Sequence, residues 1–181
     1  MKFKLRPWSK DDLDNLTRYG CNADISRFMS DGFPDTREKW HTFLNSVIGN
    51  SSIFYRAVAI DGEAVGAIGI RPQDDIRRKN AELGYWLGEP FQGKGIMSDA
   101  IVRFVRSAFE HLDITRIFAR PFETNTASHR ILEKAGFTLE ARIENGVFKN
   151  GVFIDERIYA VRRKQSAECS GNGLSPGNIV P

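Results

Sequence analysis

Phe3 and Leu5 alternate with Lys2, Lys4 and Arg6, the period-two pattern of a half-buried strand. Ser9-Lys10-Asp11-Asp12 then predicts a helix carrying Leu13, Leu16 and Tyr19, with Ser9 as its N-cap. Asp35-Thr36 precedes a second helix, in which Trp40, Phe43, Leu44, Val47 and Ile48 recur at i, i+3, i+4, i+7 and i+8 and share one face. After that the period changes. Phe54 to Ile60 reads as a strand, Asp61-Gly62 as a tight hairpin turn and Ala64 to Ile70 as the returning strand. The polar, basic stretch 71–80 reads as a loop, and Ala81 to Leu87 as the next strand. A glycine-rich turn, Gln92-Gly93-Lys94-Gly95, leads into a long helix from about Ser98 to His111, with Ile101, Val102, Val105, Ala108 and Phe109 expected on its buried side.

Arg116 to Arg120 predicts a short strand ended by Pro121, and Thr126 to Ala135 a helix stopped by Gly136 at C′. Thr138 to Glu144 and Val152 to Val161 form a last pair of strands, turned by Lys149-Asn150-Gly151. The order β-α-α-β-β-β-α-β-α-β-β implies an α/β domain with a mixed, mostly antiparallel central sheet flanked by helices. From about Gln165 the chain turns to Gly, Ser, Asn and Pro without periodicity, so 1–164 is read as the folded domain and 165–181 as a low-complexity, flexible tail.

Composition narrows the class. Lys plus Arg total 26 and Asp plus Glu 23, and the net charge of +3 is too weak to imply nucleic acid by itself, though it suits a small anionic ligand. Cys21 and Cys169 are far apart and form no CxxC pair, which argues against a disulfide framework or zinc site and fits a reducing cytoplasm. No His/Cys/carboxylate cluster has metal-ligand spacing, so no metal is expected. Met1 to Pro7 contains no apolar run, and no stretch approaches the ~20 apolar residues of a membrane span, so neither a signal peptide nor a membrane partner is expected.

The strongest chemical signal is Gln92-Gly93-Lys94-Gly95-Ile96-Met97, set between a strand and a helix. Glycines let the backbone approach a ligand closely, and amides at a helix N-terminus favour a phosphate. The segment fails the Walker pattern GxxxxGK(S/T), and it lacks the third glycine of the dinucleotide fingerprint GxGxxG. It meets the first two fixed positions of the pattern Gln/Arg-x-x-Gly-x-Gly/Ala with Gln92 and Gly95, and departs at Met97. The same residues also read as a helix-start turn with no ligand. The second signal is Asn125 and Ser128, three apart at a helix start, where both side chains can face one way. Either alone also reads as an N-cap.

Together these segments resemble the GNAT superfamily of acetyl-CoA-dependent N-acetyltransferases, in the branch similar to ribosomal-protein-alanine N-acetyltransferases. The resemblance rests on Ala81 to Leu87, Phe91 to Met97, Asn125-x-x-Ser128-x-Arg130 and Glu133-Lys134-x-Gly136-Phe137, and it spans roughly residues 2–163. It implies splayed central strands, the one before the glycine turn bulging from its neighbour so that the pantetheine arm enters beside Tyr85, Trp86 and Leu87. It implies that the amides from Gly93 through Lys94, Gly95 and Ile96 to Met97 hold the pyrophosphate with help from Gln92 and Lys94. By the same resemblance Asn125 bonds the pantetheine arm, and Arg130 or Lys134 meets the 3′-phosphate.

Transfer to an amine makes three demands. A protonated amine, with pKa near 10, must lose a proton before it attacks. The oxyanion needs fixed donors. The leaving thiolate needs a nearby acid. The resemblance assigns the last role to Ser128, as a hydroxyl that stabilises the thiolate, and the base to Glu82, early on the splayed strand. The plain alternative for Glu82 is a strand carboxylate pairing with Arg or Lys. A glutamate that close relatives use on the penultimate strand aligns with Val147, leaving Glu144 or an ordered water as other bases.

Trp8, Phe28, Met29 and Phe33 are candidates both for the acceptor wall and for the core. The expected partners are acetyl-CoA and a primary amine, either a ribosomal or other protein N-terminus or a small amine such as an amino acid, polyamine or drug. Homodimers are common in the family, so a homodimer is a further expectation. A non-catalytic acyl-CoA-binding or sensing module is the second reading. A basic nucleotide or RNA binder is the third, disfavoured because the basic loop is short and lacks interleaved aromatics. Gly173-Leu174-Ser175-Pro176-Gly177 spells GxSxG in the tail, with no strand or helix around it to make a nucleophile elbow.

Overall fold

One sheet in the order β1-β2-β3-β4-β5-β7-β6 organises the molecule. Its strands are β1 (Lys4–Arg6), β2 (Phe54–Ile60), β3 (Glu63–Pro72), β4 (Asn80–Leu87), β5 (Arg116–Ala119), β6 (Thr138–Lys149) and β7 (Val152–Arg162). The helices are α1 (Leu13–Gly20), α2 (Ala23–Ser26), α3 (Arg37–Val47), α4 (Ile96–His111) and α5 (Thr126–Lys134). This computed structural model describes residues 1–50 and 54–163. The expected tail at 165–181, with Cys169 and the GxSxG match, lies outside the described residues.

Local chemistry accounts for most boundaries. Ser9 and Asp12 form a reciprocal capping box around a 3₁₀ turn that runs directly into α1. Thr36 caps α3 through its hydroxyl, which accepts from the Lys39 amide. Asp61 and Gly62 both have positive φ, the backbone that a two-residue hairpin between β2 and β3 requires. Gly136, at φ +86°, ends α5.

Alternation along the strands assigns the helices to the two faces of the sheet. Tyr55 meets Phe43 on α3 while its neighbour Phe54 meets Phe104 on α4. Likewise Trp86 packs on Trp40 of α3 while Tyr85 reaches α5. Burying Trp40 and Leu44 completely stabilises the α3 side by roughly 1.5–3 kcal/mol per side chain. On α4 the buried stripe is Ile96, Met97, Ala100, Ile101, Phe104, Val105 and Ala108. Val102, expected inside, is exposed, because on a 3.6-residue helix it lies about 100° round from Ile101. Met97, the departure from the family pattern, points into the core.

The opening that makes a site lies between β4 and β5. These two strands pair in parallel only over Asn80–Glu82 against Arg116–Phe118, whereas the other ladders are antiparallel. β4 runs on to Leu87, paired with β3 throughout, but β5 ends at Ala119 and Pro121 has no N–H with which to extend it. From Leu83 onward the β4 edge facing β5 has no strand partner, which gives the expected splay. The expected bulge in β4 is absent, since its register with β3 is unbroken from Ala81 to Leu87. β6 runs past its expected end at Glu144 to Lys149, carrying a register irregularity between Ile143 and Val147 that hid its continuation.

Candidate active site

A cleft of about 1260 Å³ lies along the free edge of β4. It is lined by Glu82, Tyr85, Trp86, Leu87, Gln92, Gly93, Lys94, Gly95, Ile96, Met97, Asn125, Ser128 and Arg130. The structure therefore brings these thirteen residues, all named from the sequence, to one cleft.

At one end of the cleft sits the glycine turn. Gly93 (φ +72°) and Gly95 (φ +77°) are left-handed, and a Cβ at either would meet open space, so backbone conformation and not crowding calls for glycine. Gly95 is the N-cap of α4 and brings no side chain to compete for its amides. Among the described residues, the amides of Gly93, Lys94, Gly95, Ile96, Met97 and Ser98 have no backbone acceptor. The first bond of the helix runs from the Asp99 N–H to the Gly95 carbonyl at 3.2 Å. These donors stand at the positive end of a 16-residue helix, an arrangement suited to a phosphate. The Gln92 and Lys94 side chains are spent on the turn itself. Gln92 Nε2 donates to the Leu87 carbonyl at 2.8 Å and Lys94 Nζ to the Pro90 carbonyl at 2.7 Å.

On the α5 side, the hydroxyls of Tyr85 and Ser128 share a hydrogen bond of 2.6 Å. Burial holds the Tyr85 phenol well above its usual 10.0, with the Ser128 hydrogen bond opposing more weakly. Asn125 caps α5, its Oδ1 accepting from the Ser128 amide at 3.1 Å, which leaves the amide nitrogen as the group able to bond a ligand. The capping reading of Asn125 is thus true, and it aims the same side chain at the cleft. His129 points elsewhere, to the Phe122 carbonyl at 3.1 Å and the Tyr159 ring.

On the opposite face of β4, Glu82 Oε2 accepts from Arg71 at 2.6 Å, so the pairing foreseen as the alternative for Glu82 is present within the cleft. Val147 also lines the cleft, whereas Glu144 is exposed and lies outside it. Phe28, Met29 and Phe33 line the cleft, while Trp8 is buried against Phe43.

Glu156, Arg120 and Lys149 line the cleft and escaped the sequence reading. Glu156 is fully buried and bonded to Arg120 through both carboxylate oxygens. Its signal was legible, since Ile154, Glu156, Ile158 and Ala160 share one face by period two, and a carboxylate in such a series stands out. Lys149, at the tip of the β6–β7 hairpin, donates to the carbonyls of Ser26 at 2.8 Å and Met29 at 2.5 Å and so straps the hairpin to the α2–α3 loop. No local pattern signals that contact.

Among the described residues, no helix is long and apolar enough to cross a membrane. The model of the acetyltransferase (GNAT) domain family matches residues 2–138. YdaF of Bacillus subtilis strain 168, named as a ribosomal N-acetyltransferase, is 32% identical over 105 residues, which cover 58% of this chain and 57% of that protein. The chain thus spans little more than half the length of that relative. The spermidine N(1)-acetyltransferase of Escherichia coli strain K12 is 23% identical over 150 residues, covering 83% of this chain and 80% of that one. Among solved structures, RimL, a ribosomal L7/L12 alpha-N-protein acetyltransferase in complex with coenzyme A, superposes with a TM-score of 0.78 at 22% identity, covering 90% of this chain and 94% of that one. At that identity the likeness is one of fold.

Proposed function

The chain belongs to the GNAT acetyltransferase family, and from that premise we propose that it transfers the acetyl group of acetyl-CoA directly to a primary amine. The observation that carries this reading is the run of unbonded amides from Gly93 to Ser98, beside a strand edge that β5 leaves unpaired from Leu83 to Leu87. Two extended anionic and amide-bearing parts of one ligand match those two features.

In this reading the turn amides hold the diphosphate. The free β4 edge at Tyr85, Trp86 and Leu87 pairs with the pantetheine arm, joined by the Asn125 amide nitrogen. Arg130 and Lys134, both exposed on the cleft rim, meet the 3′-phosphate. When bound, acetyl-CoA supplies an activated thioester. Glu82 takes the proton from the acceptor ammonium, and the Ser128 hydroxyl, backed by Tyr85, donates to the departing sulfur. A phenol held protonated by burial keeps that donor in place across the neutral range. A carboxylate on one face of β4 and a hydroxyl pair on the other favour an enzyme over a binding module, which needs neither. The acceptor is a protein N-terminus or a small amine, the setting is the cytoplasm, and the active form is a homodimer.

Release of free thiol from acetyl-CoA, measured against a panel of N-terminal peptides, amino acids and polyamines, tests the proposal. Amine-dependent release supports it. Coenzyme binding with no release on any amine points to a binding module, and the absence of both contradicts the reading.

A further inference from the structure

On the sheet face opposite Tyr85, four charged side chains, from β3, β4, the residue after β5, and β7, stand in a row of alternating sign. Arg71 on β3 is in register with Glu82 on β4, and Glu82 with Phe118 on β5. Arg120 lies two residues beyond Phe118 and therefore on the same face, and Phe122, two further, bridges to Glu156 on β7. Arg71 donates to Glu82 at 2.6 Å, and Arg120 Nε to Glu156 at 3.1 Å. All four line the cleft. Arg120 also senses the charge of Glu82, and the two guanidiniums repel each other.

Exposure separates the signs. The Arg71 and Arg120 side chains are 72% and 43% exposed, whereas Glu82 and Glu156 are 25% and 2% exposed. The guanidiniums are therefore the more exposed members of the row, with Glu156 buried behind them and Glu82 only partly open to the cleft. Among the described residues, Arg71 Nε and the Nη1 groups of Arg71 and Arg120 have no acceptor. Gly84, between Glu82 and Trp86 on the same face of β4, leaves open space before the row.

The arrangement is built at a cost. A buried carboxylate is expensive unless it holds a partner in place. Room for Glu156 exists because position 146 is glycine, where a Cβ would lie 2.9 Å from Glu156 Oε1, and because β6 is irregular there.

We infer that Arg71 and Arg120 receive an oxyanion carried by the acceptor, so that the amine accepted here has a carboxylate or phosphoryl group close by. The inference rests on the acetyltransferase reading and names its acceptor class. A guanidinium offers parallel N–H donors that fit either oxyanion. A free amino acid meets the requirement. A polyamine brings only positive charge to two exposed cations.

The test compares kcat/KM for matched acceptors: amino acids against their amides, O-phosphoethanolamine against ethanolamine, and spermidine as the cationic control. The expected result is at least a tenfold preference for the oxyanion-bearing member of one pair, and which pair shows it separates carboxylate from phosphate. In Arg71→Met that ratio collapses toward one, and Arg71→Lys restores part of it. Because Arg120→Met alone strands a buried carboxylate, the second variant is Arg120→Met/Glu156→Met, with folding checked by circular dichroism. A purely structural loss lowers both members equally and leaves the ratio unmoved. Equal or better use of the uncharged members and spermidine by the wild type, no turnover of any oxyanion-bearing amine, or a ratio unmoved in both variants overturns the inference. Calorimetry with coenzyme A on the same wild-type preparation separates the two levels. Binding without preference removes this inference alone, and no binding removes the acetyltransferase reading beneath it.

Discussion

The Tyr85 and Ser128 hydroxyls, 2.6 Å apart, join the free edge of β4 to the first turn of α5. If the pair serves the leaving sulfur as a unit, Tyr85→Phe and Ser128→Ala each lower kcat by about 10–10²-fold, and the double variant costs little more than either single one. Steady-state kinetics on the three variants checks this. Independent, multiplicative losses refute a unit. Because burial holds the phenol above 10.0, Tyr85 contributes no ionisation to the wild-type pH–rate profile between neutrality and pH 10.

Asn125 serves the α5 cap through Oδ1 and is proposed to serve the coenzyme through its amide nitrogen. Asn125→Asp keeps a capping oxygen and removes the donor, so it raises KM for acetyl-CoA with little loss of stability. Asn125→Ala removes both and also destabilises by about 1 kcal/mol. Thermal melts alongside KM measurements distinguish them. An unaltered KM in both variants eliminates the coenzyme contact.

Glu82→Gln removes the proposed base while keeping a group that can bond Arg71. Its kcat drops at neutral pH and recovers in part at high pH, where more acceptor arrives deprotonated. A profile parallel to the wild type excludes Glu82 from the role.

His129 is buried in the folded chain, and desolvation lowers its pKa from the usual 6.5. Above that value both folded and unfolded states hold it neutral. As pH falls through 6.5, the unfolded chain takes up a proton that the folded one resists, so stability declines, at a slope of at most about 1.4 kcal/mol per pH unit. The decline ends once pH falls below the folded value. Denaturant melts from pH 8 to 5 should show this loss, reduced in His129→Gln. An identical pH slope in that variant assigns the loss to other groups.

What the sequence disclosed is what neighbours along the chain decide. The Ser9 cap, the helix start after Asp35-Thr36, the Asp61-Gly62 turn and the glycine turn at 92–95 each follow from a few adjacent residues, and all stand where expected. Features set by pairing across the fold were hidden. Nothing near Glu156 announces Arg120, which lies 36 positions away, and nothing near Lys149 announces the Ser26 carbonyl. β6 runs past its expected end at Glu144 because its pairing with β7 resumes beyond an irregularity at Asn145 and Gly146. In the structure Asn145 is left-handed, and Gly146 is the gap that Glu156 fills. Val102 was misassigned because hydrophobicity alone does not give angle on a helix; Phe104, three after Ile101, is the residue that the core receives.

The most direct measurement is calorimetric titration of folded protein with coenzyme A, for the wild type and for Gly95→Val. A β-branched residue is strongly disfavoured at φ +77°, so the variant distorts the amide cradle while removing no cleft side chain. The account predicts saturable binding by the wild type and at least tenfold weaker binding by the variant. No heat from the wild type with either coenzyme A or acetyl-CoA, or equal affinity in the two proteins, contradicts it.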